Sequence, residues 1–170
     1  MRLSLRVLVA VVFALLPNLT IAQSTPDAGS DTPSPFANGI GQTATYMDQR
    51  GTPVLSITVT GIERNWESND SYNEPQAGKD YVLVSVTLTN ETGRVFVAEP
   101  YSFKLVDSLG VSTDRAWVSR DTRVMSEDTT IDANTSIDTA LVFEMFSDLE
   151  PLLLMYEPEY GVYAVVHLGE

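Results

Sequence analysis

From Gly39 onward the chain alternates apolar and polar residues in short runs separated by turn residues, the period-two pattern of half-buried strands. Leu55-Ser56-Ile57-Thr58-Val59-Thr60 puts Leu55, Ile57 and Val59 on one face and three hydroxyl residues on the other. Tyr81 to Asn90 repeats the device, with Val82, Val84, Val86 and Leu88 pointing inward and Ser85, Thr87 and Thr89 outward. Tyr101, Phe103 and Leu105 predict a short strand that stops at Asp107-Ser108-Leu109-Gly110, where Gly110 can supply the positive φ of a tight turn. Ile137, Thr139, Leu141, Phe143 and Met145 alternate against Asp138, Ala140, Val142 and Glu144. Leu152 to Tyr156 and Val162 to Leu168 predict a hairpin joined by Glu157-Pro158-Glu159-Tyr160-Gly161. Val124 to Ala133 fits a loop or an exposed edge strand equally well. With no helical period to cross between parallel strands, the pattern predicts an all-β, antiparallel β-sandwich of about seven to eight strands.

The first residues follow a different rule. Arg2 and Arg6 precede the apolar run Val7 to Leu16, and Thr20-Ile21-Ala22 ends in a small residue, as in a signal peptide cleaved after Ala22. The apolar core is shorter than the roughly 20 residues a spanning helix needs, and Pro17 follows it, so no membrane span is expected in the mature chain. Residues 23–38 read as a disordered polar tether, leaving one domain over 39–170. The expected location is therefore secreted or extracytoplasmic.

Charge and cysteine content narrow the classes of function. The 170 residues hold 23 acidic and 10 basic side chains, a formal charge of -13, which becomes -15 once Arg2 and Arg6 leave with the leader. Such a field repels nucleic acid and anionic lipid and favours cations or basic surfaces, although colloidal solubility alone would also account for it. There is no cysteine, so neither disulfides nor a lipid-anchoring thiol contribute, and the fold must rest on its apolar core.

The segments Leu55 to Thr60, Gly78 to Asn90, Phe103 to Gly110 and Ala140 to Glu144, in this order behind a leader and a polar tether, resemble the bacterial exported Ig-like domains of unknown function grouped with the mycobacterial immunoprotective extracellular protein. The resemblance implies an immunoglobulin-like β-sandwich, export, and no established enzymatic activity. Many similar proteins carry a lipid-modified cysteine after the leader, absent here, and a glycine where this chain has Asp138-Thr139.

Several residues are candidates for chemistry or recognition. Trp66 and Tyr72, in the polar stretch Arg64 to Gly78, could form a recognition surface on the rim of a sandwich, or Trp66 could fold back over the sheet edge. Asp70 and Glu74 with Asn69 and Asn73, and Glu127, Asp128 and Asp132 further on, could supply oxygens to calcium, although neither group has the spacing of a known calcium loop and a solvated acidic rim would look the same. His167, the lone histidine, reads as a strand residue facing solvent, and no Gly-x-Ser-x-Gly elbow accompanies it. Glu157 and Glu159 read as turn residues. Asn69, Asn90 and Asn134 each open an Asn-x-Ser/Thr triplet. The expectation is a monomeric, non-enzymatic binding module with no cofactor that engages a protein or a cell-surface polymer. A calcium- or small-ligand-binding sandwich is the alternative.

Overall fold

The computed structural model describes residues 32–69, 73–118 and 121–169. The expected signal peptide, most of the expected tether, and Asp70 and Tyr72 lie outside the described residues. Among the described residues eleven strands form: β1 (Phe36–Ala37), β2 (Thr43–Met47), β3 (Pro53–Arg64), β4 (Lys79–Asn90), β5 (Phe96–Ala98), β6 (Phe103–Asp107), β7 (Ser112–Asp114), β8 (Thr129–Ile131), β9 (Ser136–Phe146), β10 (Pro151–Glu159) and β11 (Val162–His167). Seven of them have five residues or more; β1, β2, β5 and β7 are additions to the segments read from the sequence, and β8 falls in the ambiguous Val124 to Ala133.

The strands build a sandwich. One sheet has the order β2-β3-β4-β9, the other β1-β11-β10-β6-β7, and β5 pairs with β8 apart from both. All pairings are antiparallel except β1 with β11. The predicted inward faces meet between the sheets: Leu55, Ile57 and Val59 of β3, and Val82, Val84, Val86 and Leu88 of β4, pack with Phe103, Leu105, Leu154 and Val166 of the opposite sheet. A bulge between Val59 and Gly61 inserts Thr60 into β3, which shifts the parity so that Ile62 turns toward the same core.

Side chains on the outer face of the four-stranded sheet divide into two regions. Toward one end, hydroxyl pairs cross the strands as expected of a wet face: Thr43 Oγ1 lies 2.7 Å from Thr58 Oγ1, Thr89 Oγ1 lies 2.8 Å from Ser136 Oγ, and Thr87 Oγ1 donates to Asp138 Oδ1 at 2.6 Å. Toward the other end, Tyr81 and Leu83 of β4 and Ala140 and Val142 of β9 form a second apolar cluster with Trp66, Val118 and Val124. The alternation therefore assigns too much of this face to solvent. Its cover is the chain between β7 and β8, which also shields the outer edge of β9: Ala116 N donates to Val142 O at 2.7 Å, Met125 N to Ala140 O at 2.8 Å, and Ala140 N to Arg123 O at 2.8 Å. Val124 to Ala133, ambiguous in sequence, begins as this buried cover and ends as β8.

Asp121 organises the cover. Its carboxylate, almost entirely buried, accepts hydrogen bonds from the backbone, Nε and Nη2 of Arg123. These bonds, led by the guanidinium, hold the carboxyl below its ordinary aspartate value. A lowered folded pKa contributes stability that is present above the unfolded value and lost as pH falls through the folded one. Acidification below the aspartate value of 3.8 is therefore expected to speed hydrogen exchange at the Ala116 and Met125 amides. In Asp121→Asn that acid-dependent step should disappear.

The segment 34–37 ties the two sheets together. Thr45 N on β2 donates to Ser34 O at 2.6 Å, and Val165 N on β11 donates to Pro35 O at 2.7 Å. The polar tether read over 23–38 thus ends earlier than expected, since its last residues join the sandwich through backbone groups that polar composition does not reveal. The C-terminal hairpin is also tighter than predicted: β10 runs to Glu159, and Gly161 turns the chain with a φ of +80°. Glu157 and Glu159 are accordingly strand residues and not turn residues.

Candidate functional site

A cleft opens at one end of the sandwich, where the β2–β3 turn, the loop between β4 and β5, and the end of β10 converge. Its volume is about 640 Å³, within the range of small-molecule sites. Each wall has a local cause. Asp48 Oδ1 accepts from Arg50 N and Thr52 N, both at 2.9 Å, and Gly51 takes a φ of +76°, which closes the β2–β3 turn tightly.

The β4–β5 wall is anchored by Asn90, whose side chain is fully buried at 0% exposure. Its Nδ2 donates to Arg94 O at 2.8 Å and to Ile131 O and Asp132 O at 3.0 Å each. Its Oδ1 accepts from Thr92 N at 2.9 Å and Thr92 Oγ1 at 2.7 Å. Every polar capacity of this amide is engaged, and the loop that carries Glu91, Gly93 and Arg94 into the cleft hangs from it. The triplet that resembles a glycosylation acceptor is, at this position, a structural clamp inaccessible to modification.

The floor is aromatic. Tyr156 of β10, 2% exposed, packs between Phe103 at 4.7 Å and the edge of Tyr46 at 5.4 Å, measured between ring centroids. Its hydroxyl makes no hydrogen bond to a described residue, yet the oxygen is not sealed from solvent, because the cleft reaches it. Burial pushes the phenol of Tyr156 well above the ordinary tyrosine value, with smaller contributions from Tyr46 and Glu99. Burial likewise raises Tyr46, followed by the fields of Glu159 and Asp48. Both phenols therefore stay protonated at neutral pH. The carboxylates of Asp48, Glu91, Glu99 and Glu159 surround this floor against the guanidinium of Arg94.

The structure places the residues singled out by sequence elsewhere. Asn65, in the left-handed region at φ 53°, turns the chain after β3, and Trp66 folds back onto Tyr81 with ring centroids 6.2 Å apart. Trp66 is 4% exposed and takes the second of its two readings, the cover over the sheet, while also lining a cavity of about 400 Å³. Glu74 lines the same cavity. Glu127, Asp128 and Asp132 are exposed, and they point to no shared centre: among the described residues no group of three or more His, Asp or Glu side chains is placed to hold a metal ion. His167 is exposed on β11 and does not line the cleft. Among the described residues no helix is long and apolar enough to cross a membrane.

The fold and its sequence pattern have known counterparts. Residues 47–165 match the model of a family described as a domain of unknown function, DUF4352. The chain belongs to the DUF4352 family. The match covers the long strands except β2, of which only Met47 falls within it, and the last two residues of β11, so most of the sandwich is the DUF4352 domain. No curated protein sequence matches the chain significantly. In structure, this DUF4352 chain is similar to MPT63, a secreted protein from Mycobacterium tuberculosis, at 16% identity and a TM-score of 0.61, over 81% of this chain and 99% of that one. It is similar also to the yjhA protein from Bacillus subtilis, at 16% identity and a TM-score of 0.56, over 78% of this chain and 99% of that one. These TM-scores show a shared β-sandwich, and the grouping with the mycobacterial secreted protein agrees with the resemblance carried by the strand segments.

Proposed function

We propose that this chain is an extracytoplasmic binding module without chemistry of its own, and that its ligand enters the cleft over Tyr156. The observation that carries the reading is the hydroxyl of Tyr156 on a buried ring that lines the cleft with no partner among the described residues. A phenol oxygen that reaches the cleft without a partner among the described residues is free to exchange water for a polar group of a ligand. Support for the location comes from the leader pattern of Met1 to Ala22 and from the secreted neighbour. A binding role is further supported by the composition of the cleft, an aromatic floor with polar groups on rigid strand ends, and by the distance of the lone histidine from it.

Gly93 offers a clean test. It lines the cleft, a Cβ added there meets nothing within 4 Å, and its backbone is not in the left-handed region, so a side chain at this position fills the cleft without straining the fold. In a nuclear magnetic resonance screen of small organic molecules, ligands are expected to shift the Thr92, Gly93 and Val97 amides of the native protein. Gly93→Trp should abolish that binding while leaving the melting temperature within about 2 °C of the native value. Ligands that bind the variant as well as the native protein would place the site elsewhere.

A further inference from the structure

We infer that the cleft recognises an organic ammonium, a protonated amine carried on an apolar body. The inference rests on the proposed binding role of this cleft and names the chemistry of its ligand. Three features converge. Phe96, half-buried, lines the cleft with Val97 and Pro158 next to the buried rings of Tyr46 and Tyr156, and an aromatic ring attracts cations through its quadrupole while accepting apolar groups. The walls carry four carboxylates against the guanidinium of Arg94, with that of Arg50 beside Asp48, an excess of negative charge around a concave space. The carboxylates differ in how far they are already engaged. Asp48 is spent on its own turn, and Glu159 accepts from Gln49 Nε2 at 3.2 Å. Glu91 and Glu99, both exposed at the rim, make no hydrogen bond or ion pair through their carboxylates among the described residues.

The acidic rim alone would be a solvated surface. What distinguishes it is the hydroxyl beneath it. Tyr156 is all but completely buried, its oxygen has no partner among the described residues, and it lines the same cleft as Glu99, which puts an acceptor in one concave space with a free carboxylate. An ammonium group has three donors and no acceptor. It can give one proton to Tyr156 Oη and another to the carboxylate of Glu99, while the attached apolar body lies against the rings. A carboxylate ligand would meet four like charges, and a neutral alcohol would use the hydroxyl but leave the negative potential uncompensated.

The experiment uses three probes with one body and three charges: phenethylammonium, 2-phenylethanol and 3-phenylpropanoate. Each is titrated into the nitrogen-15-labelled protein, purified as its cells produce it, at low ionic strength. Phenethylammonium is expected to shift the Thr92, Gly93 and Val97 amides with a Kd of about 1 mM or tighter, and the two other probes to bind at least about tenfold more weakly. Tyr156→Phe keeps the ring and removes the oxygen, and should weaken phenethylammonium by about threefold or more. Glu99→Gln combined with Glu91→Gln, both at exposed positions where folding is not at stake, should weaken it by about tenfold and remove most of its dependence on salt. Binding of 2-phenylethanol or 3-phenylpropanoate at the same amides with equal or greater affinity would overturn the ammonium inference and leave the cleft as a ligand site. Cleft amides that stay unmoved by all three probes up to about 10 mM would overturn it as well. In that case the Gly93→Trp comparison decides separately whether the cleft binds anything.

Discussion

Asn90→Ala is expected to cost about 4 kcal/mol of stability and to lower the melting temperature by more than about 10 °C. The side chain is small, so the loss does not come from apolar burial. It comes from what the amide leaves behind: the carbonyls of Arg94, Ile131 and Asp132 and the amide of Thr92, gathered around a position with no exposure. Water can restore some of these bonds where the loop frays, but fraying undoes the wall of the cleft. The same amide also couples strands that do not pair in a common sheet, because Ile131 ends β8 while Asn90 ends β4. Asn90→Asp separates packing from hydrogen bonding, since a carboxylate fills the same volume and can still accept from Thr92 but cannot donate to three carbonyls. Chemical denaturation should find it at least as destabilised as the alanine variant. A loss below about 1 kcal/mol in both would mean that solvent satisfies these groups and that the clamp is not what holds the loop.

The clamp shows where reading the sequence stops. Its triplet, Asn90-Glu91-Thr92, is visible in one line of sequence and suggests a modification site, because the partners that define its role, Ile131 and Asp132, arrive much later in the chain. The strands themselves were legible for the opposite reason. β4 alternates because each inward position faces a core and each outward position a neighbour of the same strand pair, and this constraint is local. β9 and the second half of β3 already blur it: Val142 sits on the parity assigned to solvent, yet Val124 and Val118 cover it, and Thr60 flips the register of Ile62 through a bulge. The cleft was not legible at all. Tyr46 and Tyr156 belong to strands near opposite ends of the domain and in different sheets, and each alone is an ordinary strand aromatic. Only the closure of the sandwich makes them a floor. The resemblance to the exported Ig-like family carried the fold across these gaps, because order and spacing of strands encode topology, whereas a ligand site depends on the few side chains at the strand ends.

Trp66→Ala is expected to destabilise the protein by about 3 kcal/mol or more, which is the measure of a buried aromatic and not of a recognition residue. The ring covers Tyr81 at the open end of the second apolar cluster, and the backbone beneath it extends the pairing of β3 with β4 by one bond, from Trp66 N to Tyr81 O at 3.0 Å. Removing the indole exposes Tyr81 and the neighbouring Leu83 and leaves a void that the short path from Arg64 cannot collapse to fill, since Arg64 is itself tied to Leu149 O at 2.6 Å and Ser147 O at 3.2 Å. Trp66→Phe should recover about half of the loss, because most of the covered area returns with the phenyl ring. A residue that served recognition would behave the other way, with stability unchanged within about 0.5 kcal/mol and a binding partner lost. Thermal and urea denaturation of the two variants separate those outcomes.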